Sequence, residues 1–222
     1  MSFTQREINM RIRWHGHSCF EIGSKEKILI TDPHDGMSIG INPPDVQGDI
    51  ILISHDHYDH NAVRKVKKQN SEVMREPGES TLRDIEVKGI RSYHDEDEGE
   101  RRGENTIFRF KMNGTTFCHL GDTGHLLEKE QVDEIGDVDF LFVPVGGNFT
   151  IGPEEAKQTI DAIEPKIAVP MHFKIAGLSL DIKTVEPFLS LYPEDRIFKL
   201  GVELDFIKAD LPNQTEIWAF SL

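Results

Sequence analysis

Three observations predict a layered α/β domain in which helices cover the faces of β-sheets. Short β-type runs fill the first half of the chain, and runs of β-formers alternate with helical patterns in the second half. The length of 222 residues suits one large domain. Neither an internal repeat nor a Pro/Ser-rich linker divides the chain, so we predict a single domain over residues 1–222.

The first half of the chain is predicted to form strands joined by turns. Four strand-like runs bounded by Gly, Ser or Asp occupy residues 10–14, 18–23, 27–32 and 49–54. Helical spacing of apolar residues predicts a helix over 61–69, with Asn61 as a candidate cap. Residues 105–122 predict a hairpin, because Asn113–Gly114 is typical of a type I′ turn.

In the second half of the chain, predicted helices alternate with predicted strands. Helical patterns occur at residues 126–136, 152–165 and 181–193. Strand-like runs lie at residues 138–147, 166–173, 201–209 and 215–221. The middle helix has the clearest start, because Pro153 suits a first turn and Glu154 and Glu155 follow where the helix dipole favours anions.

Composition excludes several classes of function. The formal net charge of −14 argues against broad binding to nucleic acid, which needs a cationic surface. Cys19 and Cys118 lie far apart and in no CxxC spacing, so a reducing compartment is the default. The first ten residues lack the apolar core of a targeting segment, and no run is long enough to span a bilayer. We expect a cytoplasmic protein without membrane or nucleic-acid partners. Whether the chain forms a homo-oligomer stays open.

The segment HDHYDH, residues 55–60, crowds three histidines and two aspartates behind a buried strand. His55, His57 and Asp59 have a spacing of two, so they cannot share one face of a helix. Where a strand enters a turn, however, alternate side chains can converge, and His60 can approach from the other side. Imidazoles and a carboxylate suit Zn²⁺ and similar ions. We therefore predict a metal site rather than a solvated polar turn.

One loop seldom supplies enough ligands for two metal ions, so further ligands are expected elsewhere. His94, Asp122 and His172 each follow the end of a predicted strand. Strand ends deliver side chains to one edge of a sheet, where α/β enzymes assemble their sites. Taken singly, each residue is more often a polar surface or core residue. The joint pattern favours a common site for all three.

These motifs resemble the metallo-β-lactamase-fold hydrolases, whose HxHxDH signature corresponds to residues 55–60. The resemblance covers nearly the whole chain through WHGHSCFEI, ILITDP, GDTGH, VPVGGNFTIGPEEA and VPMHF. It is strongest to a compact Zn-dependent subgroup similar to ascorbate-phosphate lactonases. The resemblance implies an α+β fold, a four-layer αβ/βα sandwich. In that fold two mixed β-sheets pack face to face, helices lie outside, and metal ions bind at one edge.

The resemblance also implies two divalent metal ions held by histidine and aspartate side chains. The implied ligands are His55, His57 and His94 for the first ion and Asp59, His60 and His172 for the second, with Asp122 bridging the two. Zinc is the expected metal. Manganese, iron, cobalt and nickel remain alternatives, because a His/Asp set accepts each of them.

The function implied is a metal-dependent hydrolase that cleaves a phosphodiester, a phosphorylated small molecule or a lactone. A hydroxide held between two cations would attack, with Asp59 and Asp122 fixing its orientation. The leaving group would take its proton from His17 or His119, and the sequence does not decide between them. Asp32 either accepts a hydrogen bond from a ligand imidazole or merely starts an Asp-Pro turn. The alternative function is a non-catalytic metal-binding or sensor domain of the same fold.

Overall fold

A computed structural model describes residues 9–24 and 26–222 of the chain. The prediction that the first ten residues carry no targeting segment falls mostly on residues 1–8, which lie outside the described residues. The described helices are α1 (Val63–Val66), α2 (Lys129–Ile135), α3 (Pro153–Ile163) and α4 (Glu186–Leu189). None of these is long and apolar enough to cross a membrane.

The strands belong to two sheets. They are β1 (Met10–Trp14), β2 (Phe20–Gly23), β3 (Ile28–Thr31), β4 (Gly48–Leu52), β5 (Lys67–Met74), β6 (Gly78–Leu82), β7 (Ile85–Tyr93), β8 (Glu104–Met112), β9 (Thr115–His119), β10 (Phe140–Pro144), β11 (Ile167–Met171), β12 (Ile197–Lys199), β13 (Glu203–Phe206) and β14 (Glu216–Ala219). The first sheet has the order β13-β1-β2-β3-β4-β5, and the second has the order β12-β14-β11-β10-β9-β8-β7-β6.

Both sheets mix parallel and antiparallel pairs. In the first sheet β1, β2 and β3 are antiparallel neighbours, whereas β3, β4 and β5 run parallel. In the second sheet β6 to β9 are antiparallel, and β9, β10, β11 and β14 are parallel. The predicted α+β sandwich of two mixed sheets is therefore confirmed.

Aromatic side chains from both sheets meet in the layer between them. Phe20 of β2 packs against Phe142 of β10 with ring centroids 4.5 Å apart. Phe206 of β13 packs against Phe140 of β10 at 4.8 Å. All four belong to one continuous buried apolar cluster, which holds the two sheets together by removing large apolar surfaces from water.

The Asn113–Gly114 hairpin forms as predicted. Asn113 has φ 49° and Gly114 has φ 79°, the two left-handed residues that a type I′ turn requires. The prediction of a helix over 61–69 is wrong beyond its first turn. Residues 67–74 instead extend as β5, which pairs in parallel with β4. Hydrogen bonds to the edge of β4 outweigh the local helical pattern, since tertiary pairing overrides weak propensity.

The helix predicted over residues 181–193 is also much shorter in the structure, where α4 spans only four residues. The chain before it is held in loop contacts, because the Lys183 amide donates to the Gly146 carbonyl and the Lys183 carbonyl accepts from Lys174. These backbone bonds use groups that a longer helix would need for its own ladder. α4 buries Phe188 and Leu189.

The topology brings six strand ends to one edge of the sandwich. β3 and β4 are parallel in the first sheet, and β7, β9, β10 and β11 point the same way in the second. The two sheets touch at this edge, where the Thr106 amide donates to the Ser54 carbonyl. The loops that follow these strands carry most of the predicted site residues.

Candidate metal centre

Two largely buried groups of ligand-type side chains lie side by side at this edge. We call them the imidazole cluster, which is His55, His57 and His94, and the mixed cluster, which is His17, Asp59, His60 and His172. Within each cluster every residue offers a ligand atom that lies within 4.8 Å of the others. The structure thus brings together the residues that the sequence singled out, although their role as metal ligands stays a prediction.

Asp122 lies between the two clusters. Its Oδ2 is 3.0 Å from His172 Nε2 and 3.2 Å from His60 Nε2 in the mixed cluster. The same oxygen is 3.4 Å from His94 Nε2 and 3.9 Å from His55 Nε2 in the imidazole cluster. One carboxylate oxygen therefore faces ring nitrogens of both clusters, as the bridging role implied by the resemblance requires.

The turn that carries Asp122 tolerates almost no additional volume. Gly121 has φ 59°, and a Cβ there would lie 2.3 Å from Asn105 Oδ1 and 2.5 Å from the Ser54 Cβ. Asn105 also accepts the Asp122 amide at 2.9 Å, and its amide group donates to the Leu120 carbonyl. Sequence reasoning missed Asn105, because it lies inside β8 and no local motif marks it.

Asp32 orients two of the histidines, His60 by a direct hydrogen bond and His55 through Ser54. Its Oδ2 lies 3.1 Å from His60 Nδ1, so it accepts that N–H and turns Nε2 toward Asp122. It also accepts the Ser54 hydroxyl at 2.6 Å, and this hydroxyl lies 2.9 Å from His55 Nδ1. The hydrogen-bonding role that the sequence left open for Asp32 is therefore the one that its contacts support.

His94 opens an acidic loop that is folded around a single carboxylate. Asp95 accepts backbone hydrogen bonds from Asp97, Gly99, Arg101 and Arg102 at 2.7 to 3.0 Å. The His94 amide donates across the base of the loop to the Gly103 carbonyl at 3.0 Å. These bonds define the backbone from which His94 projects.

The two candidate proton donors have different surroundings. His17 Nε2 lies 3.2 Å from Asp59 Oδ2 and 3.1 Å from His60 Nε2, so His17 belongs to the mixed cluster. His119 bonds to backbone at both ring nitrogens: Nε2 lies 3.0 Å from the Ser18 carbonyl, and Nδ1 accepts the Gly121 amide. Its ring supports the turn before Asp122, and its role as a catalytic acid stays a prediction.

Burial and neighbouring charges set the protonation of the site. Burial favours the neutral acid, but His172 and His60 outweigh it and hold the pKa of Asp122 well below its usual range. Burial opposes a charge on His60 as well, yet Asp122 and Asp59 raise the pKa of His60 well above its ordinary value. Burial and the adjacent His172 lower the pKa of His17 to about 3.

The residues present fit divalent metal ions. Among the described side chains, His55 Nε2 and Asp122 Oδ1 are buried and have no hydrogen-bond partner, although both belong to the centre. Buried polar atoms without partners are costly and call for an explanation such as a bound ion. Imidazoles combined with carboxylates are the donor set that Zn²⁺ and its neighbours accept.

Comparison with known proteins shows the family to which the chain belongs. Residues 11–172 match the family model described as the beta-lactamase superfamily domain. A solved structure from Thermotoga maritima, assigned to the Zn-dependent hydrolases of the metallo-beta-lactamase superfamily, is 34% identical with a TM-score of 0.78. It covers 95% of this chain and 98% of its own. The chain belongs to the metallo-β-lactamase superfamily.

Two curated relatives are named metal-dependent hydrolases. The protein from Thermoplasma acidophilum is 31% identical over 194 residues, which are 77% of this chain and 86% of that protein. The protein from Thermococcus onnurineus is 29% identical over 190 residues, which are 74% and 84% of the two chains. The expected membership of the metallo-β-lactamase superfamily is confirmed.

Proposed function

We propose that the chain is a metal-dependent hydrolase whose centre holds two divalent metal ions, with zinc as the expected metal. The observation that carries the proposal is the position of Asp122 Oδ2, 3.2 Å from a ring nitrogen of the mixed cluster and 3.4 Å from one of the imidazole cluster. A carboxylate shared in this way is how proteins hold two metal ions close together. The names of the curated relatives support the same class of activity.

The ions would be held by the two clusters separately. The proposed ligands are His55, His57 and His94 for the first ion, Asp59, His60 and His172 for the second, and Asp122 for both. When bound, the ions would supply Lewis acidity and lower the pKa of a coordinated water molecule. The low pKa of Asp122 suits this role, because metal ligands must be deprotonated.

The side chains of the centre would orient the metal ligands and the attacking water, and would transfer protons. Asp32 accepts the His60 Nδ1–H and keeps Nε2 pointing into the centre. Asp59 and Asp122 are the two carboxylates at the centre, and both keep pKa values below the usual range, so they accept protons only weakly. They therefore suit orientation of an attacking water by hydrogen bonding. His17 and His119 remain the two candidate donors to the leaving group.

For the substrate we propose a phosphodiester, a phosphorylated small molecule or a lactone. One contact favours an anionic group: the guanidinium of Arg102 lies 5.5 Å over the ring of Phe149 and makes no ion pair with the described residues. Arg101, by contrast, pairs with Asp97. Phe149 packs in a small apolar cluster with Ile39 and its neighbours, which fixes the ring under the cation.

The test combines metal analysis with a substrate panel. The chain is purified without chelator, its metal content is measured, and turnover is assayed on bis(p-nitrophenyl) phosphate, p-nitrophenyl phosphate and simple lactones with added Zn²⁺ or Mn²⁺. We expect about two ions per chain and turnover on at least one substrate. Arg102→Ala should raise KM for the phosphorylated substrates and leave lactone turnover unchanged, with Arg101→Ala as the matched control.

Two results would count against the proposal. Full metal loading without turnover on any substrate would favour the non-catalytic metal-binding or sensor domain. Turnover that persists after dialysis against chelator, with no metal left in the protein, would remove the metal-dependent chemistry itself.

A further inference from the structure

His17 has a backbone conformation that is unfavourable for its side chain and is held by specific contacts. Its φ of 54° lies in the left-handed region, which a residue with a Cβ adopts only at a cost in energy. Its carbonyl accepts the indole N–H of Trp14 at 3.0 Å and the amide of His172 at 3.3 Å. The backbone of His17 is therefore tied directly to that of His172, a member of the mixed cluster.

This conformation directs the ring of His17 into the mixed cluster. The residue is fully buried, and its ring centroid lies 4.3 Å from that of His172. Its Nε2 is 3.2 Å from Asp59 Oδ2 and 3.1 Å from His60 Nε2. Ligand atoms that are bound to one Zn²⁺ at its usual bond lengths, with bond angles of about 90° to 120°, are separated by roughly 2.8 to 3.8 Å. Both distances from His17 Nε2 fall in that range.

The simplest alternative is that His17 only donates a hydrogen bond to Asp59. Histidines that orient other groups in this centre are themselves anchored: His119 bonds to backbone at both nitrogens. His17 Nδ1, by contrast, is buried and has no hydrogen-bond partner among the described residues. His94 and His172 show the same pattern, with Nε2 toward Asp122 and Nδ1 without a partner. His34, which lies outside both clusters, also has a buried Nδ1 without a partner, so Nε2 makes the distinction. In His34 and His119 this atom bonds to a backbone carbonyl, whereas in His17 it faces Asp59 and His60. In this respect His17 resembles the proposed metal ligands rather than the orienting residues.

We propose that His17 is itself a ligand of the second metal ion, in addition to Asp59, His60 and His172. The proposal rests on the metal centre of the proposed function but not on hydrolysis. With Asp122, the mixed cluster then offers five protein ligand atoms to its ion, whereas the imidazole cluster and Asp122 offer four.

This asymmetry has a chemical consequence. A metal ion with fewer protein ligands keeps open positions for water or substrate, as catalytic zinc ions do. The ion at the imidazole cluster would therefore bind the reacting groups, and the ion at the mixed cluster would be the more firmly held of the two. His17 would be a coordinating residue and would not be free to protonate the leaving group, which leaves that role to another donor.

The direct test is a crystal structure of the metal-loaded protein, with anomalous scattering collected at the metal absorption edge. We expect the second ion within about 2.0 to 2.2 Å of His17 Nε2. A distance beyond about 3 Å, with water or no atom in that coordination position, would overturn the inference even if two ions are bound.

A metal titration provides the second readout and needs no substrate. His17→Gln keeps a side-chain N–H donor that can reach Asp59 but removes the imidazole. We expect the dissociation constant of one ion to rise by more than the roughly 10- to 100-fold that loss of a residue bonding to a ligand costs, with the other ion unaffected. Binding of both ions at wild-type affinity would contradict ligation by His17.

His34→Gln is the matched control. His34 is equally buried, and its Nε2 bonds to the His15 carbonyl rather than to either cluster. Its replacement should leave both dissociation constants unchanged, and circular dichroism of both variants verifies that they fold. If His17→Gln does not fold, the crystal structure of the metal-loaded wild-type protein still decides whether His17 binds the second ion. Two bound ions with His17 in contact but no turnover would support the inference and contradict the proposed hydrolase.

Discussion

The imidazole cluster and the mixed cluster are neighbours but are built differently. Two of the three imidazole-cluster residues come from one short loop, and His57 remains half-buried at its surface. The mixed cluster takes residues from the turn after β1, from the same loop and from the end of β11, and His17, His60 and His172 are almost completely buried.

We infer from this difference that the two clusters have different roles in the proposed metal centre. The open side of the centre is at His57, so solvent and substrate would reach the imidazole cluster first. The mixed cluster is enclosed by the packed ends of both sheets and carries a carboxylate of its own. Close-packed surroundings hold side chains in place, which suits an ion with a positioning role. Three experiments test this comparison, and a fourth concerns a histidine outside both clusters. The largest expected effect comes from Asp122, which lies between the clusters.

Replacing Asp122 should remove the connection between the clusters. In Asp122→Ala we expect loss of both metal ions and a fall in kcat/KM of at least about 1,000-fold, because the shared carboxylate is lost. The fold should survive, since the turn before Asp122 is held by His119 and Asn105 rather than by the Asp122 side chain. Metal analysis and circular dichroism measure the two effects. Metal content at the wild-type level would contradict the shared role.

Replacing His57 should affect one cluster only. We expect His57→Ala to bind about one metal ion per chain instead of two and to lose most activity, because the imidazole cluster keeps only two of its rings. The fold should be unaffected, since this ring is half-buried and bonds to no other described side chain in the centre. Titration with Co²⁺, followed by its absorption spectrum, counts the sites. Loss of both ions would show that the two clusters do not bind independently.

Replacing Asp32 should have a smaller effect, which concerns the affinity of the mixed cluster for its metal ion. Asp32→Asn cannot accept the His60 Nδ1–H as strongly, so the ring is held less firmly. We expect the affinity for the second ion to fall by roughly 10- to 100-fold, the usual cost of losing a residue that orients a ligand. Isothermal titration with Zn²⁺ measures it. Weakening of the first ion instead of the second would point to the Ser54 contact with His55 as the main role of Asp32.

The smallest effect concerns a buried histidine beside the clusters. Burial lowers the pKa of His34 to about 4 in the folded chain, against roughly 6.5 when unfolded. Between these values the unfolded chain binds a proton that the folded chain does not, so acidification reduces the free energy of unfolding by at most about 1.4 kcal/mol per pH unit.

Urea unfolding of the metal-free protein at pH 7, 6 and 5 measures this loss of stability. His34→Gln should flatten the dependence relative to wild type. His60 contributes in the opposite sense, since its raised pKa gives stability at low pH that is lost as the pH rises through the folded value. Comparing the variant with wild type cancels this contribution. Identical slopes for the two proteins would contradict the shift at His34.

The strengths and errors of sequence-based prediction follow the range of the interactions involved. The Asn113–Gly114 turn was predicted correctly because its signal is local, two residues that must both adopt positive φ. The helix over residues 61–69 failed because β4 offers an open edge to that segment, and no local pattern reports a partner strand. Asn105 escaped notice for the same reason, since its partners Leu120 and Asp122 are distant in sequence.

The sequence by itself determined the class of fold, the HDHYDH loop and the list of strand-end residues that belong with it. A layered α/β domain and the strand-end pattern follow from periodicity and spacing, which are properties of neighbouring residues, whereas the sandwich of two mixed sheets was implied by the family resemblance. Only the tertiary structure placed Asp122 between the clusters, put Asp32 on His60 and brought His17 rather than His119 into the mixed cluster. The physical reason is that the direction of a side chain at a strand end depends on the dihedral angles of the turn and on the packing of the two sheets. No short segment of the chain determines either of them.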